Sequence, residues 1–556
     1  MKKQILGAAI LAMATLAHAQ FEPAMPEGAP KPAANVKPDV ADKDVEIIAP
    51  KVDKQNKSIT LAASFWNQGL AGWVEVAFCG RPSDFLHETI IAATTTRENM
   101  LKAMREAGFV DADHWVGNVS DFPRIRGDKA AIILDFEVEG KKQTFLLDEL
   151  IAFQGWGVSP GPHGWLFKGD PARDMKKEEE QPQEKLTNRQ KILRDDPQVA
   201  LQFKGLQHMS QSFLDFPLAY DDWILPAPKY MRNFEVLSEK AFNANLELPV
   251  VMTIKKVSEA EFIELAAKLW HDAKAAEHIK KQLPTAKQID EDKAALWVML
   301  PELRKLAKLP DEQRDVPKEV ELFGKSAVLA ASIEAGYAAL DLAWATWASE
   351  NPVITTKDAR QVDEISSEIK KWREHRELQR ERAEHLLTAE TAAFEAKKLG
   401  LQTQTEEVKA KTSRLRGEEI RARSLAQIAE NKHVRKYWRY EKSRLNPSDD
   451  PRTDWIRHVT VQAELVEARH AMAETGVALG TLLAKGETNV KAVQERYRAA
   501  LSRVTLGQMR LELADVEFEI SKREGFEEDA ELRELKKRRA EMQAELKKAE
   551  AATQPK

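Results

Sequence analysis

The chain has 556 residues, 43% hydrophobic and 31% charged, with 84 Lys and Arg against 89 Asp and Glu for a formal net charge of −5. This apolar content excludes a wholly disordered chain, and the near-neutral charge supplies no general drive toward nucleic acid or anionic lipid. The single cysteine excludes an internal disulfide framework, a cysteine-based zinc site and a four-cysteine iron–sulfur cluster.

At about 100–200 residues per domain, the length predicts two to four units. The first 19 residues run from Met1-Lys2-Lys3 through an apolar stretch, Ile5 to Leu16, to Ala17-His18-Ala19. A basic start, a short apolar segment and small residues at the cut predict an export signal removed after Ala19, and hence a periplasmic or secreted protein. The apolar stretch is shorter than the about 20 residues a permanent membrane span needs. Residues 20–45 carry Pro23, Pro26, Pro30, Pro32 and Pro38 and read as an extended linker.

From 46 to 257 short alternating runs predict an α+β domain with a mostly antiparallel sheet and one main helix. Ile59, Leu61, Ala63 and Phe65 alternate with polar or small residues, as do Val74, Val76 and Phe78. Ile132, Leu134, Phe136 and Val138 repeat the pattern, followed by Val199, Leu201 and Phe203, then Val250, Met252 and Ile254. Period-two alternation sets one face on a core and the other toward water. A helix is predicted near 96–107, opened by a Thr95/Glu98 capping box and stopped by Gly108. Residues 172–191 read as a charged, solvated insertion.

Residues 258–350 predict an all-α segment. Ser258 and Glu261 form a capping box, Pro284 ends the first helix, Thr285 with Gln288 opens the next, and Pro301 ends it. A third helix runs from Pro317 to Ser349, and Trp270, Trp297, Trp344 and Trp347 are the expected packing residues. Ala327 to Trp347 is the most apolar stretch, but Glu334 and Asp341 interrupt it on one helical face. An acid at mid-membrane costs about 2.5–3.5 kcal/mol on insertion scales, so a buried helix is the better reading and no membrane span is expected after signal cleavage. Residues 351–556 predict long helices and coiled coil, broken at Asn446–Pro451. Val362, Ile365, Ile369 and Trp372, then Ala389, Ala392, Ala396 and Leu399, keep a 3-4-3 seam. Val493, Tyr497, Ala500 and Val504, with Leu532, Leu535, Met542 and Leu546, continue it. A hairpin folded back at 444–452 fits this pattern as well as an intermolecular coil.

No run of residues spells out a reaction. G-x-S-x-G, P-loop and G-x-G-x-x-G patterns are absent, and no histidines share a short ligand-like spacing. No cofactor, no metal and no nucleic acid are therefore expected. The residues that come nearest to chemistry are Cys79, His87, Glu88 and His163: a free thiol, a potential base, an acid, and an imidazole in a Gly-Pro-His-Gly turn.

Gly72-Trp73-Val74-Glu75-Val76-Ala77-Phe78-Cys79, leading to His87-Glu88-Thr89-Ile90, begins a series of shared motifs. The helix Glu98 to Gly108, Gly161-Pro162-His163 before Trp165-Leu166-Phe167, Ser212 to Leu218, and the strand Val250 to Lys255 complete it. In these residues, about 46–256, the chain resembles the YdjY domain family of exported bacterial proteins. The insertion at 172–191 departs from that pattern and leaves the alignment between Asp170 and Pro197 open. The family's activity is undefined, so the resemblance implies a domain rather than a mechanism. The expected function is an exported, non-enzymatic binding or scaffold protein, with the helical half extending it, assembling it or meeting a protein partner. The alternatives are an enzyme or ligand-binding module centred on Cys79, His87, Glu88 and His163, and an envelope tether.

Overall fold

The computed structural model describes residues 46–65, 76–79, 89–110, 128–138, 140–153, 159, 161–167, 228–231, 248–307, 309, 313, 315–352, 359–444, 454–521 and 530–553. The predicted export signal and linker, the strand expected at Val199–Phe203 and the charged insertion lie outside these residues. An α+β part precedes an essentially all-helical one, as the patterning predicts. The chain divides into two compact units: Met1–Trp115, Ser120–Glu291 and Leu340–Arg373 form one, and Val116–Val119, Asp292–Ala339 and Glu374–Lys556 the other.

The first unit holds strands β1 (Lys51–Asp53), β2 (Ser58–Phe65), β3 (Val76–Cys79), β4 (Thr89–Ala93), β5 (Asp128–Val138), β6 (Lys141–Leu146), β7 (Ile151–Phe153), β8 (Trp165–Phe167), β9 (Pro228–Met231) and β10 (Leu248–Lys256). The main sheet runs β3-β4-β2-β10-β5-β6, with β1 added to β2 and β8 to β5, while β7 pairs with β9 apart from it. Pairing is antiparallel except between β3 and β4. β10 sits between β2 and β5 and aligns Met252 with Leu61 on one side and Leu134 on the other. Alternate residues of these three strands form one buried face against helix α1 (Arg97–Glu106), through Met100, Leu101 and Met104. Burial of such apolar area stabilises by about 25 cal/mol per Å².

Helix α1 is capped one residue later than expected. Thr96, not Thr95, accepts from the Asn99 amide at 3.2 Å, whereas Thr95 is buried. The Gly108 stop stands: its φ is +96° and its amide reaches the Arg105 carbonyl at 3.0 Å.

Short helix α2 (Leu147–Leu150) follows β6. The Ser258/Glu261 capping box is formed in both directions, at 3.2 and 2.8 Å, and opens α3 (Glu259–Leu269). The predicted single helix up to Pro284 is two, because Asp272 accepts from the Lys274 and Ala275 amides and starts α4 (Ala273–Lys280). Pro284 then falls in the first turn of α5 (Leu283–Ala307), where its missing amide costs nothing. Pro301 does not end that helix. Leu300, Leu303 and Leu306 are buried around it, and packing of this stripe outweighs the lost backbone bond.

Helix α6 spans Val316–Glu350, and its last residues belong to the first unit. By length and composition alone α6 is long and apolar enough to cross a membrane, and half of its apolar stretch is buried within the protein. Within the first unit, Trp344 meets Trp270 edge-on at 5.3 Å and stacks on Trp347 at 4.9 Å. These rings join Phe262, Ile279 and Trp372 in a second core, which takes Ala131 and Leu146 from the opposite face of the sheet. Trp297 departs from the expectation, standing 48% exposed on α5.

Helix α7 (Ala359–Gly400), which belongs to the first unit up to Arg373 and to the second from Glu374, and α8 (Glu406–Arg444) divide the long expected helix at Gly400, and Thr405 caps α8 through the Val408 amide. Helices α9 (Asp454–Ala484), α10 (Lys491–Ser521) and α11 (Ala530–Thr553) follow. Successive helices run antiparallel. Arg423 of α8 pairs with Glu390 of α7 at 3.0 Å, His458 of α9 with Asp515 of α10 at 3.0 Å, and Arg510 of α10 with Glu550 of α11 at 2.7 Å. Helix α8 continues through Gly417, which lets α9 approach, since a Cβ there would lie 2.4 Å from the Ala484 nitrogen.

Candidate functional site

Of the four residues singled out from the sequence, His163 has a described side chain. Cys79 ends β3, in parallel register with Ala92 of β4. His87 and Glu88 lie outside the described residues. His163 sits just before β8, in the turn that Gly161 and Gly164 permit through φ values of +124° and +66°. It is buried, with its Nδ1 3.2 Å from Asp341 Oδ1 of α6.

Other buried polar groups of the same unit surround this pair. The Lys129 ammonium, on β5, donates to the His163 carbonyl at 2.7 Å and forms an ion pair with Glu259, the first residue of α3. It also lies 5.2 Å from the centre of the Phe262 ring. Asp148 of α2 accepts from the Gly164 amide at 2.7 Å and from the Trp165 indole at 3.0 Å. The Ser159 hydroxyl donates to the Asp148 carbonyl at 2.8 Å, and the Trp344 indole donates to the Ser159 carbonyl at 2.9 Å. Glu149 binds both the His271 amide, at 2.9 Å, and its Nδ1, at 3.0 Å, while Phe145 stacks on that ring. Gly161 presses against the Trp344 indole so closely that a Cβ would lie 2.7 Å from the ring.

Burial pushes the Asp148 carboxyl above its ordinary value, and the Gly164 amide, His163, the Trp165 indole and Lys129 all pull in the opposite direction. The network thus compensates buried charge and fastens the turn at 161–164 to β5, α2, α3 and the end of α6. Chemically it can hold a backbone turn and a helix end in one geometry. His163 is enclosed rather than presented to solvent.

Sequence reasoning singled out His163 but missed Lys129, Asp148, Glu149, Glu259 and Trp344 as its companions. Asp341 did carry a signal, as an acid within an apolar helix that needs a buried partner. Lys129 and Glu259 gave none, because they sit in ordinary charged contexts. Among the described residues, no group of three or more His, Cys, Asp or Glu is placed to hold a metal ion.

Against known proteins, no protein-family model, no curated protein and no solved structure matches the chain.

Proposed function

We propose that the chain is an exported, non-enzymatic binding or scaffold protein, in which a YdjY-like α+β domain recognises a partner and the coiled-coil-like helices extend or assemble it. The observation that carries this reading is the helical array. From α7 to α11 each helix packs antiparallel on the next through interhelical ion pairs and small-residue contacts, an arrangement suited to reach and surface rather than to an enclosed pocket. The commitment of His163 to Asp341 supports the same reading, because a base for catalysis has to reach substrate.

Crosslinking of the mature protein in its own envelope, followed by pull-down and mass spectrometry, tests the proposal. Reproducible crosslinks from α8–α11 to one partner, or to a second copy, support it. Turnover of a small molecule that is lost on Cys79→Ala overturns it in favour of an enzyme built around Cys79, His87 and Glu88.

A further inference from the structure

The α8–α9 hairpin carries two polar side chains that its own packing does not explain. Asn431 of α8 is 6% exposed and His470 of α9 is 8% exposed. Among the described residues, Asn431 Nδ2 and His470 Nδ1 are both buried without a hydrogen-bond partner. A buried polar group left unmatched costs about 1–3 kcal/mol, and native interiors rarely hold two side by side.

Register places these two groups together. Arg435 of α8 pairs with Glu467 of α9, and further along the hairpin a Cβ on Gly476 of α9 would meet Ser424 of α8. One turn from Arg435 toward Ser424 is Asn431, and one turn from Glu467 toward Gly476 is His470. The two residues therefore occupy the same level of the hairpin, and both are buried there.

Their chemistry is complementary. His470 Nε2 lies 3.4 Å from Glu474 Oε1. An imidazole N–H directed at that carboxylate leaves Nδ1 as an acceptor. Burial lowers the pKa of His470, with Arg435 and Arg439 adding to that effect and Glu474 and Glu467 opposing it, which agrees with a neutral ring. Asn431 Nδ2 is a donor. Glu467, Arg435 and Arg439 are engaged with one another, and Glu474 lies at His470 Nε2, so these groups do not fill the two positions.

We infer that a water molecule bound between Asn431 Nδ2 and His470 Nδ1 completes a polar layer inside the α8–α9 hairpin. Water both donates and accepts, so it matches an orphaned donor at the same level as an orphaned acceptor, and buried waters characteristically serve two to four such groups. The layer also bears on register: a slip of one turn would carry the two polar groups about 5 Å apart along the hairpin, too far for one water to serve both.

The test is hydrogen–deuterium exchange of the α8 and α9 peptides in the full chain, for Asn431→Leu, His470→Leu and the double variant. Each single variant strands one partner and is expected to accelerate exchange about tenfold or more. The double variant removes both polar groups and is expected to exchange within about threefold of the unaltered chain, because coupled residues are not additive. Acceleration in the double variant equal to the product of the two singles overturns the inference, as does absence of acceleration in the singles. A second measurement holds even if leucine is poorly accommodated. In protein labelled with ¹⁵N at histidine, the His470 Nδ1 resonance is expected to shift in Asn431→Ala, and an unshifted resonance overturns the inference.

Discussion

His163 Nδ1 lies 3.2 Å from Asp341 Oδ1, with the two side chains 7% and 4% exposed. The pair joins a turn of the sheet domain to the end of a helix far along the chain. Removing one member of a buried pair leaves the other uncompensated and typically costs about 3–5 kcal/mol. Asp341→Ala is therefore expected to destabilise the first unit by about 3 kcal/mol or more. Asp341→Asn, which keeps an acceptor, is expected to cost less. Hydrogen exchange of the 161–167 and 340–350 peptides measures both, and unchanged protection in Asp341→Ala contradicts the assigned role.

Gly161 faces the Trp344 ring with φ at +124°, and a Cβ would stand 2.7 Å from that ring. Gly161→Val is expected to lose about 1–3 kcal/mol through overpacking and backbone strain. Denaturant titration gives the loss, and a red shift in tryptophan emission reports displacement of Trp344.

A Cβ on Gly480 would lie 2.5 Å from the Arg421 nitrogen, a backbone atom that cannot swing aside. Gly480→Leu is expected to force α8 and α9 apart at a cost of about 1–3 kcal/mol, although glycine itself is a poor helix former. Faster exchange in α8 and α9, with the sheet unaffected, is the expected result.

Two carboxyls predict opposite pH responses. The Arg435 and Arg439 guanidinium groups around Glu467 hold its carboxyl at about 2, below the ordinary 4.5. Its folded pKa is lowered, so its contribution is complete above about pH 4.5 and lost as pH falls toward about 2. The effect is modest because Glu467 is partly exposed and screened. Asp148 is the reverse, with burial raising it above the ordinary 3.8. Stability linked to Asp148 is greatest below about pH 3.8 and declines as pH rises through its raised value. Acid titration followed by site-resolved exchange should show α8–α9 loosening toward pH 2 in the unaltered chain but not in Glu467→Gln. Asp148→Asn should flatten the opposite slope in the 161–167 peptides.

Ser258 closes the capping box at the start of α3. Ser258→Ala is expected to cost about 1 kcal/mol, read as fraying of the 258–262 amides in exchange.

The legible features were those written in local periodicity. β2, β5 and β10 were visible because alternation in a strand reflects the two faces of one pleat, whatever the neighbours. β6, Lys141–Leu146, was not visible, because its outer residues are Lys, Gln and Thr and only pairing with β5 makes it a strand. Pro301 misled for a related reason: proline is a local stop signal, yet buried leucines on either side carry the helix past it. At the site, His163 stood out through its Gly-Pro-His-Gly turn, while its companions come from four other elements. Ser159 and Trp344 meet across 185 residues, a separation no spacing rule addresses.

The amino-acid sequence by itself determined the two-part plan: alternating strands with one capped helix, then long charged helices with narrow apolar seams. Those properties follow from backbone geometry acting over a few residues at a time. Gly400 and Gly417 are both weak points of the expected long helix in the sequence; the tertiary structure decided that it divides at Gly400 into an antiparallel pair, that Gly417 marks a close contact instead, and that Asp341 belongs with His163. Such outcomes depend on which distant surfaces exclude water together. A buried charge takes its meaning from the partner that packing brings to it.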